Sequence, residues 1–93
     1  MAKDLARQIR ARLLELEPLE LQIEDQSAAH VGHAGALAGA HFHVRMVCAA
    51  FDGLSRLERH RLIYQRLAPL MGGRIHALAM SLYAPGEKTA PMR

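Results

Sequence analysis

Six histidines stand among 93 residues, and no other residue type here is as able to do chemistry at that frequency. They are His30, His33, His41, His43, His60 and His76. A neutral imidazole can ligate a metal through whichever ring nitrogen is free, provided its backbone lets it approach. His30 and His33 form an H-x-G-H pair in a Gly- and Ala-rich stretch. His41 and His43 alternate along an extended pattern, His76 opens an apolar run, and His60 lies between Arg59 and Arg61. Two readings stand side by side. Either these are exposed or hydrogen-bonded histidines with no ligand role, or a loop histidine and a strand-end histidine converge on a metal. Histidines alone would leave such a site incomplete, and a partner could supply the remaining ligands.

The other reactive types are less informative. Cys48 is the single cysteine, which excludes an internal disulfide and every zinc or iron–sulfur motif that takes two thiolates from one chain. It shares strand parity with Phe42, Val44 and Met46, so it is expected in the core as an inert thiol. No G-x-G-x-x-G or Walker-type loop occurs. Gly32-His33-Ala34-Gly35 matches the G-x-x-G of RNA-clamping loops, but that loop joins two helices and this one is expected between two strands. Glu20, Glu24 and Asp25 fall on or near a wet strand face, without the paired environments that separate an acid from a base. No serine or threonine sits in a nucleophile elbow. An enzyme is therefore not expected. Arg56, Arg59, Arg61 and Arg66 crowd one helical segment, and they read as a solvated face or as phosphate contacts.

The elements that must position these residues follow from periodicity. Leu5, Ile9, Leu13 and Leu16 lie on one face of a helix that Pro18 ends. Leu19, Leu21 and Ile23 alternate with Glu20, Gln22 and Glu24, which predicts a strand with one dry face. Residues 25–40 hold three Gly, six Ala and two His and read as a long surface loop. A second strand has Phe42, Val44, Met46 and Cys48 on one face and His41, His43, Arg45 and Val47 on the other. Phe51-Asp52-Gly53 is a turn signal. Residues 54–71 return to a helical period, with Leu57, Tyr64, Leu67 and Met71 as the apolar stripe and Gly72-Gly73 as the stop. Residues 75–83 form a third strand, apolar on both faces, with Ala77 and Ala79 where a helix could pack closely. The tail from residue 84 is expected to fray.

These elements describe a single α+β domain of two layers, its ordered part about residues 5–83. A chain of 93 residues buries a modest core, and 51% hydrophobic residues suit a folded domain. The net charge of +3 permits contact with nucleic acid or an acidic surface without requiring either. Residues 1–12 lack the apolar run of a signal peptide, and no stretch approaches the roughly 18 apolar residues of a membrane span. Cysteine usage points to a reducing compartment, hence the cytoplasm.

Residues 57–64, reading Leu57-Glu58-Arg59-His60-Arg61-Leu62-Ile63-Tyr64, together with Ile75-His76-Ala77-Leu78-Ala79-Met80, resemble the BolA family. Glu24-Asp25-x-Ser27, His41-Phe42-x-Val44 and Phe51-x-Gly53 extend the resemblance over roughly residues 5–83. It implies a fold similar to class II KH domains: helix, strand, strand, helix with a short extra turn, strand, in a three-stranded mixed sheet covered on one face. It also implies pairing with a monothiol glutaredoxin around a shared [2Fe–2S] cluster, to which glutaredoxin and glutathione bring thiolates. The strand ligand carried over is His76; the loop ligand is His30, with His33 the alternative. No cofactor is expected on the isolated protein, which would be a monomer. The same family includes transcriptional regulators, for which Arg56, Arg59, Arg61 and Arg66 would contact DNA phosphates.

Overall fold

The computed structural model describes residues 2–26, 40–71 and 75–90. Its order is α1 (Ala2–Leu14), β1 (Glu20–Asp25), β2 (Ala40–Val47), a 3₁₀ turn (Ala49–Phe51), α2 (Arg56–Leu67), a second 3₁₀ turn (Ala68–Leu70) and β3 (Ile75–Tyr83). The sheet runs β1-β2-β3, with β1 and β2 antiparallel and β2 and β3 parallel. The two-layer α+β reading holds, and the short turn at Ala49–Phe51 supplies the extra element before α2.

The core forms where the periodicities meet. Leu5, Ile9 and Leu13 of α1 are buried, as are Phe42, Val44 and Met46 of β2 and Cys48 just after it. Leu21 and Ile23 of β1 pack against this cluster. α1 ends at Leu14, and the chain leaves it through Glu17 at φ 55°, just before Pro18. Leu19 begins no dry face: it is 69% exposed and joins the sheet only through its backbone, donating to the Val47 carbonyl at 2.8 Å.

α2 departs from the expected stripe. Ile63 and Leu67 face the core, whereas Leu57 and Tyr64 are exposed. The helix begins two residues later than its apolar pattern because Ser55 and Glu58 close a capping box. Ser55 Oγ accepts from Glu58 N–H at 3.1 Å, and Glu58 Oε1 accepts from Ser55 N–H at 2.7 Å. At the other end the α-helix yields to a 3₁₀ turn containing Pro69, before the Gly72-Gly73 stop, which lies outside the described residues. Gly53 takes φ 75°, a conformation that favours glycine.

β3 carries a register shift where β2 passes from Ala40 to His41. Ala40 pairs with Ile75 and His41 with Ala77, so His76 is the extra residue on β3. The shift changes the side-chain phase. Ile75 is buried, and after it Leu78, Met80 and Leu82 turn to the core side. Ala77 and Ala79 are exposed, so they do not receive a helix as the sequence suggested.

Candidate functional site

The sheet face opposite the helices carries the polar side chains. Glu20, Gln22 and Glu24 come from β1, His41, His43 and Arg45 from β2, and Ser81 and Tyr83 from β3. His43 lies opposite Glu24 and has Nε2 2.9 Å from Ser81 Oγ. Glu24 Oε1 accepts from Gln26 Nε2 at 2.9 Å. Arg45 is buried although it projects to this face. It donates to Glu20 Oε1 at 2.6 Å and to the Ala90 carbonyl at 2.9 Å, and it stacks 5.7 Å from the Tyr83 ring centroid. Ala90 N–H donates to Tyr83 Oη at 3.2 Å. Residues 84–90 thus fold back over the sheet where the sequence suggested only a fraying tail. Their anchors are an arginine from mid-sheet and Glu87, neither recognisable from local pattern.

The candidate ligands fall as follows. His30 and His33 lie outside the described residues, as does the G-x-x-G match. The backbone of His76 is placed at the register shift near the start of β3. β1 ends at Asp25 and β2 starts at Ala40, and Ala40 pairs with Ile75. The segment holding His30 and His33 therefore leaves and re-enters the sheet at the end where His76 stands. His60 is half-buried on α2. Cys48 is fully buried, its thiol donating to the Leu16 carbonyl at 3.2 Å, so it offers no ligand to a partner. Among the described residues, no three His, Cys, Asp or Glu side chains gather as metal ligands.

The four helix arginines do not act as one group. Arg59 clamps Glu87 through two bonds of 2.7 and 2.8 Å and also donates to the Leu54 and Leu82 carbonyls. The Arg59 bond and the Ala84 N–H hold the Glu87 carboxyl down at about 2, and Glu87 in turn raises Arg59. Arg66 reaches Glu15 at 3.2 Å. Arg56 and Arg61 point to solvent. The bonds from Ser55, backbone first and then side chain, lower the Glu58 carboxyl. No helix among the described residues is long and apolar enough to cross a membrane.

Fold and site define a small two-layer α+β domain with a polar sheet face opposite its helices and a histidine at a strand irregularity. Residues 13–87 match the family model "BolA-like protein". The chain is 40% identical to the BolA domain of SufE1 from Arabidopsis thaliana, covering 89% of this chain and 94% of that one, with a TM-score of 0.78. The mouse BolA1 solution structure shares 36% identity and a TM-score of 0.72, over 87% of this chain and 65% of that one. Human BolA-like protein 1 is 40% identical over 80 residues, or 85% of this chain. The "DNA-binding transcriptional regulator BolA" of Haemophilus influenzae is 37% identical over 73 residues, 78% of this chain and 69% of that protein. This chain belongs to the BolA family. It spans about a fifth of the Arabidopsis SufE-like protein 1, about half of Arabidopsis BOLA1 and 57% of the human relative.

Proposed function

We propose that this protein is a non-enzymatic, cytoplasmic adaptor that pairs with a monothiol glutaredoxin and lends histidine ligands to a shared [2Fe–2S] cluster. What supports the reading is the meeting, at one end of the sheet, of the His76 backbone and both ends of the segment that holds His30 and His33. A ligand from that segment and one from the strand then need no rearrangement of the three strands. The cluster, when bound, supplies one-electron redox chemistry and transferable iron. The chain supplies neutral imidazole, which leaves less negative charge at the iron than thiolate and raises the reduction potential. Cys48 stays in the core and does not compete for metal. Protonation of the ligating imidazoles competes with iron, so cluster sharing weakens in acid.

The test is anaerobic titration of this protein into a [2Fe–2S]-loaded monothiol glutaredoxin, read by visible circular dichroism. The wild type changes the cluster spectrum, and His76→Ala does not; His30→Ala and His33→Ala assign the second ligand. An unchanged spectrum with wild-type protein sinks the reading.

A second reading, DNA binding, rests on the likeness to the Haemophilus regulator. Arg59 and Arg66 are engaged in ion pairs, so phosphate contact would fall first to Arg56 and Arg61. Binding whose affinity is indifferent to salt concentration would rule out that phosphate-led mode.

A further inference from the structure

A groove of about 560 Å³ runs between α2 and β3, lined among others by Leu54, Arg56, His60, Met80, Tyr83 and Lys88. Leu54, Met80 and Leu82 supply its apolar lining, and Arg56, Arg59 and Lys88 its cations. Glu87 also borders it, but Arg59 holds that carboxylate in a two-point ion pair, which cancels both charges. Arg56 and Lys88 are exposed and make no ion pair with the described residues. The groove therefore presents two uncompensated cations and a half-buried imidazole.

Its inner wall is a sheet edge. β3 is the last strand in the order β1-β2-β3. The Tyr83 carbonyl accepts from Cys48 N–H at 3.0 Å, so Tyr83 directs its backbone groups toward the β2 side. By alternation along the strand, Leu78, Met80 and Leu82 direct theirs outward. Arg59 Nη1 takes the Leu82 carbonyl at 3.2 Å. The N–H and C=O of Leu78 and Met80 face the open edge. An edge of this kind is a template for a fourth strand.

We infer that the β3 edge and its groove dock an extended acidic peptide segment of a partner protein, added as a fourth strand. The peptide backbone pairs with Leu78 and Met80. The methylene stems of its groove-side acidic side chains pass over Leu54 and Met80, and their carboxylates meet Arg56, His60 and Lys88. The inference is independent of the cluster reading. His76 lies two residues from Leu78, about 7 Å along the strand, and is not among the residues the peptide uses.

The test is ¹⁵N–¹H NMR of the full chain titrated with a capped octapeptide alternating Glu and Thr. Three controls accompany it: the same peptide N-methylated at every second amide, its Lys–Thr counterpart, and an eight-residue oligothymidylate. The Glu–Thr peptide is expected to shift the amides of Leu78, Met80, Arg56 and Lys88 and to slow hydrogen exchange at Leu78 and Met80. The N-methylated and Lys–Thr peptides should leave them unmoved. Charge reversal at two exposed positions, Arg56→Glu with Lys88→Glu, should weaken binding at least roughly tenfold while leaving the rest of the spectrum in place. Equal binding by the N-methylated peptide would show charge attraction without strand addition and overturn the inference. Tighter binding of the oligonucleotide, or shifts at Leu78 and Met80 that follow protein concentration alone, would give the edge to nucleic acid or to a second copy and overturn it too.

Discussion

Arg45 joins three parts of the molecule distant in sequence, and replacing it by Met measures what that junction contributes. Its guanidinium is almost wholly removed from water, yet it has partners: the Glu20 carboxylate at 2.6 Å and the Ala90 carbonyl at 2.9 Å. A hydrogen bond from a charged donor contributes about 1.5–3 kcal/mol net. The Glu20 pair contributes less, about 0–1 kcal/mol, because that carboxylate is 58% exposed and open to solvent screening. Methionine replaces the apolar stem and leaves no buried charge unpaired, because the Glu20 carboxylate that loses its partner is largely exposed. A loss of about 2 kcal/mol follows, which in a domain of this size lowers Tm by about 8–16 °C. Truncation after Lys88 removes the Ala90 acceptor while retaining Glu87. If Arg45 acts through the returning tail, the two changes are non-additive, with a coupling of about 1–2 kcal/mol. Urea unfolding followed by far-ultraviolet circular dichroism measures this: the chain has no Trp, and urea leaves the ion pairs unscreened. A coupling below about 0.3 kcal/mol would refute the claim that Arg45 pins the tail.

Three further outcomes are expected. The Glu87 carboxyl should titrate near 2 by NMR, and in Arg59→Ala it should return toward the ordinary 4.5. A depressed carboxylate stabilises the fold above its unfolded pKa, so its share is present at neutral pH and drains away as pH falls from about 4.5 through about 2, less steeply in high salt because the group is exposed. A midpoint above 4 in the wild type contradicts the clamp. Arg59→Ala should cost about 1–3 kcal/mol, whereas Arg61→Ala should stay within about 0.5 kcal/mol, both by urea denaturation; equal effects would return Arg59 to the solvated face. Cys48 should react with an aromatic disulfide reagent only at the rate of global or local opening, since the thiol is fully buried on the Leu16 carbonyl. Fast stoichiometric labelling of folded protein would place the thiol outside the core.

Much of the fold was legible because burial leaves a period in the sequence. Leu5, Ile9 and Leu13 mark α1, and the alternation from Phe42 to Cys48 marks the central strand, where one parity meets both helices. α2 was misread on its stripe because Leu57 and Tyr64 are apolar yet exposed; apolar residues at helical spacing do not say which of two overlapping faces is covered. Ser55-x-x-Glu58 marks in the sequence where the helix begins, through its capping box, and leaves the choice of face to tertiary packing. Arg59 was grouped with its neighbouring arginines because its partner, Glu87, lies 28 residues away in a segment without periodicity. A basic run in sequence becomes separate structural and solvent-facing arginines once such long-range partners exist.

The irregularity in β3 links the fold to the function proposed. A regular strand would give Ile75 and Leu78 opposite faces; the extra residue lets both serve the core. That residue is His76, so the shift that repairs the hydrophobic phase also takes a histidine out of the regular pairing at the end of the sheet. Strand bulges commonly serve to re-aim a side chain beside a functional site. The apparent two-faced apolar run from Ile75 to Met80 was the trace of this shift in the sequence: an alternation whose phase changes once resembles a strand buried on both sides. Deleting His76 leaves Ile75 two residues from Leu78, so plain alternation keeps both on the core side. β3 should then hold the pairing of Ala77 to Tyr83 with β2 and lose little stability. Retained burial of Ile75, read by hydrogen exchange and urea denaturation, would assign the bulge to positioning His76 rather than to packing. A loss of about 2–5 kcal/mol, the usual cost of removing a large buried aliphatic, would mean that the core itself demands the extra residue.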